Sequence, residues 1–209
     1  MRIAVINETS AADKNADILA ALEPHGHEVI NAGMRKSGES PELTYMHTGF
    51  MSALLLNAGR VDMVVGGCGT GQGYLNSVMQ YPGVFCGHIA TPLDAWLFTQ
   101  INGGNCIALM LNQGYGWGSD VNLRFIFERL FSVESGAGYP PHRRESQRAS
   151  RAMLSGLSRQ SHRRMAEIVG VIDERIVKPV LEYPGFIDLL SPQTLGDADL
   201  VSAIAGRMK

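Results

Sequence analysis

The sequence predicts an α/β fold, a five-stranded parallel sheet covered on both faces by helices, with a helical extension behind it. Three observations carry this. Strand-like and helix-like runs alternate from the first residue to about residue 131, the run VDMVVGG (61–67) is apolar enough to be buried on both faces, and from Tyr139 onward the pattern is helical only. Alternating strands and helices imply right-handed crossovers, hence parallel strands with helices on either side.

The elements follow in order. RIAVI (2–6) is a short β-rich run, and the helix after it, around Asp13–Leu22, is stopped by Pro24 and Gly26. HEVINAG (27–33) supplies the second strand, and a polar loop through Pro41 leads to a helix ending near Asn57–Gly59. VDMVVGG is the third strand, and a helix runs from about Gly73 to Gln80. VFCGHIA (84–90) and NCIALML (105–111) are the fourth and fifth strands, separated by a helix over roughly Pro92–Gln100, and another helix covers Ser119–Phe131. The stretch from Arg143 to Val177 reads as one or two helices, and a short helix closes the chain at Asp197–Met208. The whole is a three-layer α/β/α, Rossmann-like (flavodoxin-like) arrangement, with an α/β domain at 1–138 and a helical, dimer-packing extension at 139–209. In such folds ligands bind at the carboxyl ends of the strands, where the strand order reverses.

Composition narrows the function classes. With 209 residues, 45% hydrophobic, the chain can bury a full core without staples, and 18% charge argues against disorder. The net charge of −2 excludes a chain that is basic throughout, yet His142–Arg164 holds seven of the fourteen arginines against one acid, Glu145. That segment is formally +6, which leaves −8 elsewhere. Its arginines read as a solvated helix face, as phosphate capture through bidentate guanidinium contacts, or as a nucleic-acid surface. No recognition motif supports the last, and no nucleic-acid partner is expected. The apolar residues Met153, Leu154, Leu157, Met165, Ile168 and Val169 form a face expected to pack on a second subunit. Cys68, Cys86 and Cys106 form no CxxC pair, the apolar run after Arg2 spans only Ile3–Ile6, and no stretch is long enough for a membrane helix. These predict a soluble, cytoplasmic protein with no membrane partner.

The chemistry concentrates in Gly66-Gly67-Cys68-Gly69-Thr70-Gly71-Gln72-Gly73, where the third strand hands over to a helix. Glycines let backbone approach a ligand, a helix N-terminus favours negative charge, and a thiolate placed there is stabilised as a base or nucleophile. Thr70 can donate to an oxygen that gains charge during a reaction. The loop matches neither the phosphate-loop nor the dinucleotide pattern. A lone cysteine is otherwise a small buried residue, and Cys86 and Cys106 read that way. His88, at the end of the fourth strand, and His47 read either as polar rim residues or as acid–base groups beside the Cys68 loop, and His25 and His27 as surface residues flanking a turn. No metal-ligand spacing is present among the six histidines, and no metal or cofactor is expected.

The MRIAVINE strand, Gly-His-Glu-Val-Ile after the first helix and CGTGQG after the third strand together resemble the ribose-5-phosphate isomerase B and galactose-6-phosphate isomerase family over about residues 1–150. The resemblance implies a cofactor-independent aldose–ketose isomerase of a sugar phosphate. Cys68 would be the base that moves a proton between carbons 2 and 1 through an enediolate, with Thr70 and the N–H groups of Gly69, Gly71, Gln72 and Gly73 stabilising the oxygen. It further implies that Asn102 binds substrate, that Arg144 and Arg148 grip phosphate in the site of a partner subunit, and that the protein is a homodimer, with a tetramer left open. Two places depart from the family. Glu8-Thr9 replace Asp-His after the first strand, leaving Glu8 to accept from sugar hydroxyls, and Ile101 replaces the ring-opening histidine, a task His88 or His47 would have to assume. These departures keep open a substrate that is already acyclic. They also keep open a non-catalytic sugar-phosphate binder, or a subunit that needs a paralogous partner.

Overall fold

A computed structural model of the chain describes residues 1–208. Its strands are β1 (Arg2–Asn7), β2 (Glu28–Asn31), β3 (Met63–Cys68), β4 (Cys86–Ile89) and β5 (Cys106–Met110). They form one sheet in the order β2-β1-β3-β5-β4, and every pairing is parallel. The chain steps from β1 outward to β2 and then back across to β3, so the order reverses between β1 and β3. Strands β1 and β3 are buried almost throughout, whereas β2 and β4 form the edges and are partly exposed.

Successive strand residues face opposite sides of a sheet, and here they feed two separate cores. Ile3, Val5, Val65, Ile107 and Leu109 face α1 (Asn15–Leu22), α4 (Pro92–Leu97) and α5 (Ser119–Phe131). Ala4, Ile6, Val64, Cys106 and Ala108 face α2 (Tyr45–Asn57) and α3 (Gln72–Val78). This is the predicted three-layer α/β/α architecture, with strand and helix ends trimmed. β2, for instance, stops at Asn31 because the N–H groups of Ala32 and Gly33 both turn to the Val5 carbonyl.

The extension contains α6 (Arg144–Ser161), α7 (Met165–Val171), α8 (Glu174–Leu181), α9 (Phe186–Leu190) and α10 (Ala198–Arg207). The one or two helices expected over 143–177 are three, because the backbone is extended at His162, Arg164 and Ile172. Asp173 then caps the next helix by accepting the Arg175 N–H at 2.8 Å. The apolar face expected to pack on a second subunit divides. Met165 and Val169 are buried in the same core as α2, and Ile168 packs against it, whereas Met153, Leu154 and Leu157 on α6 remain exposed, Met153 at 76%. The reason is the break at 162–164, which turns the later helices back onto α2 while α6 stays outside. The Arg60 side chain secures that return by donating to the Leu190 and Ser191 carbonyls at 2.8 and 2.9 Å. Among the described residues no helix is long and apolar enough to cross a membrane.

Gly66 shows how tightly the site's support is packed. A Cβ there would lie 2.2 Å from the Tyr74 ring, which is fully buried between α3 and the sheet. The Tyr74 hydroxyl pairs with Ser52 Oγ at 2.7 Å and with Cys106 Sγ at 3.4 Å, joining α2, α3 and β5.

Candidate active site

The switch point between β1 and β3 gathers three loops. Beyond β1, Glu8 is 4% exposed and accepts from the Ser10 hydroxyl. Ser10 Oγ also accepts the Gly69 N–H at 3.1 Å, and the Ser10 carbonyl accepts from Asn112 Nδ2 at 2.7 Å. The N–H groups of Asn112 and Gln113, beyond β5, both donate to the Gly69 carbonyl at 3.0 and 2.9 Å. The ends of β1, β3 and β5 are thereby tied through residues 10, 69 and 112. The β5 loop is anchored further out by Tyr115, whose hydroxyl donates to Asp17 at 2.7 Å; burial and the Asp17 carboxylate push its phenol well above the ordinary range.

Cys68 ends β3 and is 7% exposed, its Sγ 4.0 Å from Thr70 Oγ1. The Gly71 N–H returns to the Cys68 carbonyl at 3.2 Å and closes a turn around residues 68–71. Gly71 holds φ +75°, a conformation that L side chains rarely adopt. The Gln72 N–H is taken by Thr70 Oγ1 at 3.3 Å. Sequence reasoning expected the N–H groups from Gly69 to Gly73 to serve a ligand together. Closing the turn leaves fewer: those of Gly69, Gly71 and Gln72 have protein acceptors, and those of Thr70 and Gly73 have none among the described residues. Tyr45, the first residue of α2, lies with its ring against Gly73 and walls that side.

Other sequence candidates fall in different places. His88 reaches the turn, with Nε2 3.0 Å from the Thr70 carbonyl oxygen. His47 is bonded at both ring nitrogens: Nδ1 accepts the Thr44 N–H at 2.9 Å and Nε2–H donates to the Arg175 carbonyl at 2.8 Å, so it serves the α2 cap. His25 and His27 pack on the Phe131 ring at 5.0 and 4.5 Å rather than standing free, and burial lowers the pKa of His27. Asn102 lies in the turn that leads into β5, at the end of the sheet opposite Cys68. There it lines a cavity of about 410 Å³ with Cys86, Ile101 and Arg151. Arg151 donates to the Ile101 and Gly136 carbonyls at 2.8 and 2.7 Å, and Arg144 packs against Gly138, whose N–H bonds the Gln100 carbonyl. Arg148 is exposed, 4.0 Å from Glu145. Within one chain, then, Cys68, Thr70, Glu8 and His88 come together; Asn102 meets only His88, along a groove beside β4, and Arg144 and Arg148 do not join them. Ser10, Tyr45 and Asn112 belong to the site although sequence reasoning did not select them; each lies just beyond a strand or at a helix start. Among the described residues no group of three or more His, Cys, Asp or Glu side chains is placed to hold a metal ion.

The fold defines a doubly wound α/β protein in which the loops after β1, β3 and β5 meet beside a nearly buried thiol at the switch point. Comparison with known proteins specifies the family. The ribose/galactose isomerase family model matches residues 3–124, and the chain belongs to that family. A solved 4-deoxy-L-threo-5-hexosulose-uronate ketol-isomerase, complexed with a tartrate, is 36% identical with a TM-score of 0.92, over 100% of this chain and 99% of that one. The ribose-5-phosphate isomerase of Vibrio parahaemolyticus is 37% identical with a TM-score of 0.92, covering 99% of each chain. The type B ribose 5-phosphate isomerase of Trypanosoma cruzi, 16% identical with a TM-score of 0.65 over 78% of this chain and 100% of that one, shares the fold. Curated protein sequences give no match.

Proposed function

We propose that this chain is a cofactor-independent aldose–ketose isomerase in which the Cys68 thiolate carries a proton between carbons 2 and 1 of an open-chain sugar. The observation that carries the reading is one cluster at the switch point: a thiol at the end of β3, the donors of Thr70 and Gly73 beside it, and the buried Glu8 carboxylate. The thiolate removes the carbon-2 proton, and the electron pair forms the carbon 1–carbon 2 double bond while charge develops on oxygen 1. The Thr70 hydroxyl and the N–H groups of Thr70 and Gly73 donate to that oxygen. A proton then moves from oxygen 2 to oxygen 1, and the thiol returns its proton to carbon 1. The exchange is redox-neutral and consists of proton transfers only. Glu8 accepts from the sugar hydroxyls, held for that task by Ser10.

Asn102, Arg144 and Arg148 complete the site of a partner subunit in a homodimer and take the anionic end of the substrate. Their exposure, and their distance along the sheet from Cys68 of the same chain, support this role. The two arginines lie in the extension from residue 139, which thus contributes to the partner's site. The relatives spanning nearly the whole chain are named for ribose 5-phosphate and for a hexosulose uronate, both sugars with a terminal anion. Thr9 and Ile101 stand where the family resemblance expects histidines, which favours a substrate that arrives open-chain over one whose ring must be opened. The same two positions favour, as a second reading, a binding protein or a subunit that needs a paralogous partner. The test is proton NMR of the purified protein with 4-deoxy-L-threo-5-hexosulose uronate, ribose 5-phosphate and galactose 6-phosphate. Turnover of any of them by the homomeric protein supports the isomerase and removes the second reading. Binding of these compounds without turnover establishes the second reading instead.

A further inference from the structure

We propose that His88 is a positioning residue that locks the turn carrying Cys68 and Thr70; the proposal rests on the reading of that turn as catalytic. His88 Nε2 lies 3.0 Å from the Thr70 carbonyl oxygen, and a carbonyl only accepts, so the ring presents Nε2–H there. The same peptide unit carries the Gly71 N–H, which donates to the Cys68 carbonyl at 3.2 Å. In a trans peptide the C=O and N–H point to opposite sides. The Thr70–Gly71 unit is therefore gripped from both.

That grip matters because of the residue it acts on. Gly71 makes the turn possible at φ +75°, and a glycine leaves the same peptide free to rotate away. Rotation would move the Thr70 side chain relative to Cys68. The imidazole supplies the restraint that a Cβ would otherwise give: a Cβ built on Gly71 would sit 2.7 Å from His88 Nε2 and 2.8 Å from Cδ2. The sheet register explains how a side chain from the edge strand reaches the turn. His88 is in register with Ala108, and Ala108 with Gly66, so small residues lie on that level between β4 and the far side of β3. The imidazole leans over Ala108 toward the start of α3.

The test pairs His88→Ala with His88→Gln, whose side-chain amide can donate from nearly the same point as Nε2. Two readouts are taken: the exchange rate of the Gly71 amide by NMR, which needs no substrate, and kcat with KM on 4-deoxy-L-threo-5-hexosulose uronate and ribose 5-phosphate. In His88→Ala the Gly71 amide is expected to exchange about ten-fold faster, the scale set by loss of one hydrogen bond. Its kcat is expected to fall roughly ten-fold with KM within about two-fold, and Gln to restore both readouts to within about three-fold of wild type. Unchanged Gly71 exchange in His88→Ala overturns the proposal. So does a Gln variant as slow as the Ala variant that has also lost a limb of its pH–rate profile, since the ring would then be moving a proton itself. Should Cys68→Ser retain full turnover, the catalytic reading fails separately, and amide exchange still decides whether His88 locks the turn.

Discussion

Ser10 Oγ lies 3.1 Å from the Gly69 amide nitrogen while its proton is given to the Glu8 carboxylate, so one hydroxyl couples the acidic loop after β1 to the cysteine loop after β3. Both partners need it. Glu8 is nearly inaccessible to water, and the Gly69 N–H has no other acceptor among the described residues. Replacing Ser10 with Ala leaves a buried carboxylate and an amide unpaired, a loss of about 1–3 kcal/mol in stability. Misplacement of the two loops is expected to lower kcat/KM by roughly ten- to a hundred-fold. Urea unfolding and steady-state kinetics on the same preparation check both, and a change in neither would separate Ser10 from the site.

Gly66 is predicted to tolerate no side chain. Its neighbour is a fully buried tyrosine ring between helix and sheet, with no flexible end to give way. Gly66→Ala is expected to destabilise the fold by at least about 1–3 kcal/mol. Thermal unfolding measures it directly. A companion Tyr74→Leu substitution that recovers part of the loss would identify the ring as the cause.

The proposed sharing of a site between two subunits makes a quantitative prediction for mixed dimers. Cys68→Ser and the double variant Arg144→Ala/Arg148→Ala are each expected to be nearly inactive as homodimers. When the two chains are co-expressed, half of the dimers are mixed, and each mixed dimer regains one intact site. Recovery to about a quarter of wild-type activity follows from twofold symmetry. Activity that stays at the level of the separate variants would assign the arginines elsewhere.

Acid stability should report on the start of α8. The hydrogen bonds from Arg175 hold the Asp173 carboxyl down to about 2, from an ordinary value of 3.8. A carboxyl depressed in the folded state contributes stability above its unfolded pKa and loses it as pH falls through the folded one. The stability advantage of wild type over Asp173→Asn is therefore expected to hold at neutral pH and to disappear between about pH 4 and about pH 2. Because the pair is exposed, salt should shrink the advantage. An advantage unchanged across that interval would contradict the pairing. Chemical denaturation at stepped pH measures it.

Much of this fold was legible in the sequence because a parallel sheet leaves a strong trace: apolar runs of a few residues, each answered by a helix. The Cys68 loop was legible for a related reason, since glycines, a thiol and a hydroxyl crowd one strand-to-helix junction. What stayed hidden depended on contacts distant in sequence. Ser10 matters only because the chain brings it to Gly69, 59 positions away. The sequence places the later extension helices on a second subunit because Met165 and Val169 have the same apolar period as Met153 and Leu157. Only the backbone break at 162–164 sends one pair inward and leaves the other outside. Neither type nor loop position separates His47 from His88; their partners, a helix cap and the turn after β3, distinguish them.

Cys68 is the group proposed to move the proton. Wild type and Cys68→Ser, both shown to be folded, are incubated in deuterium oxide with the hexosulose uronate and with ribose 5-phosphate, and deuterium at carbons 1 and 2 is followed by NMR. Wild type is expected to incorporate deuterium during turnover. The variant is expected to lose at least about a hundred-fold of that rate, the contribution of a positioned general base. Exchange at the wild-type rate in Cys68→Ser would mean that another group moves the proton.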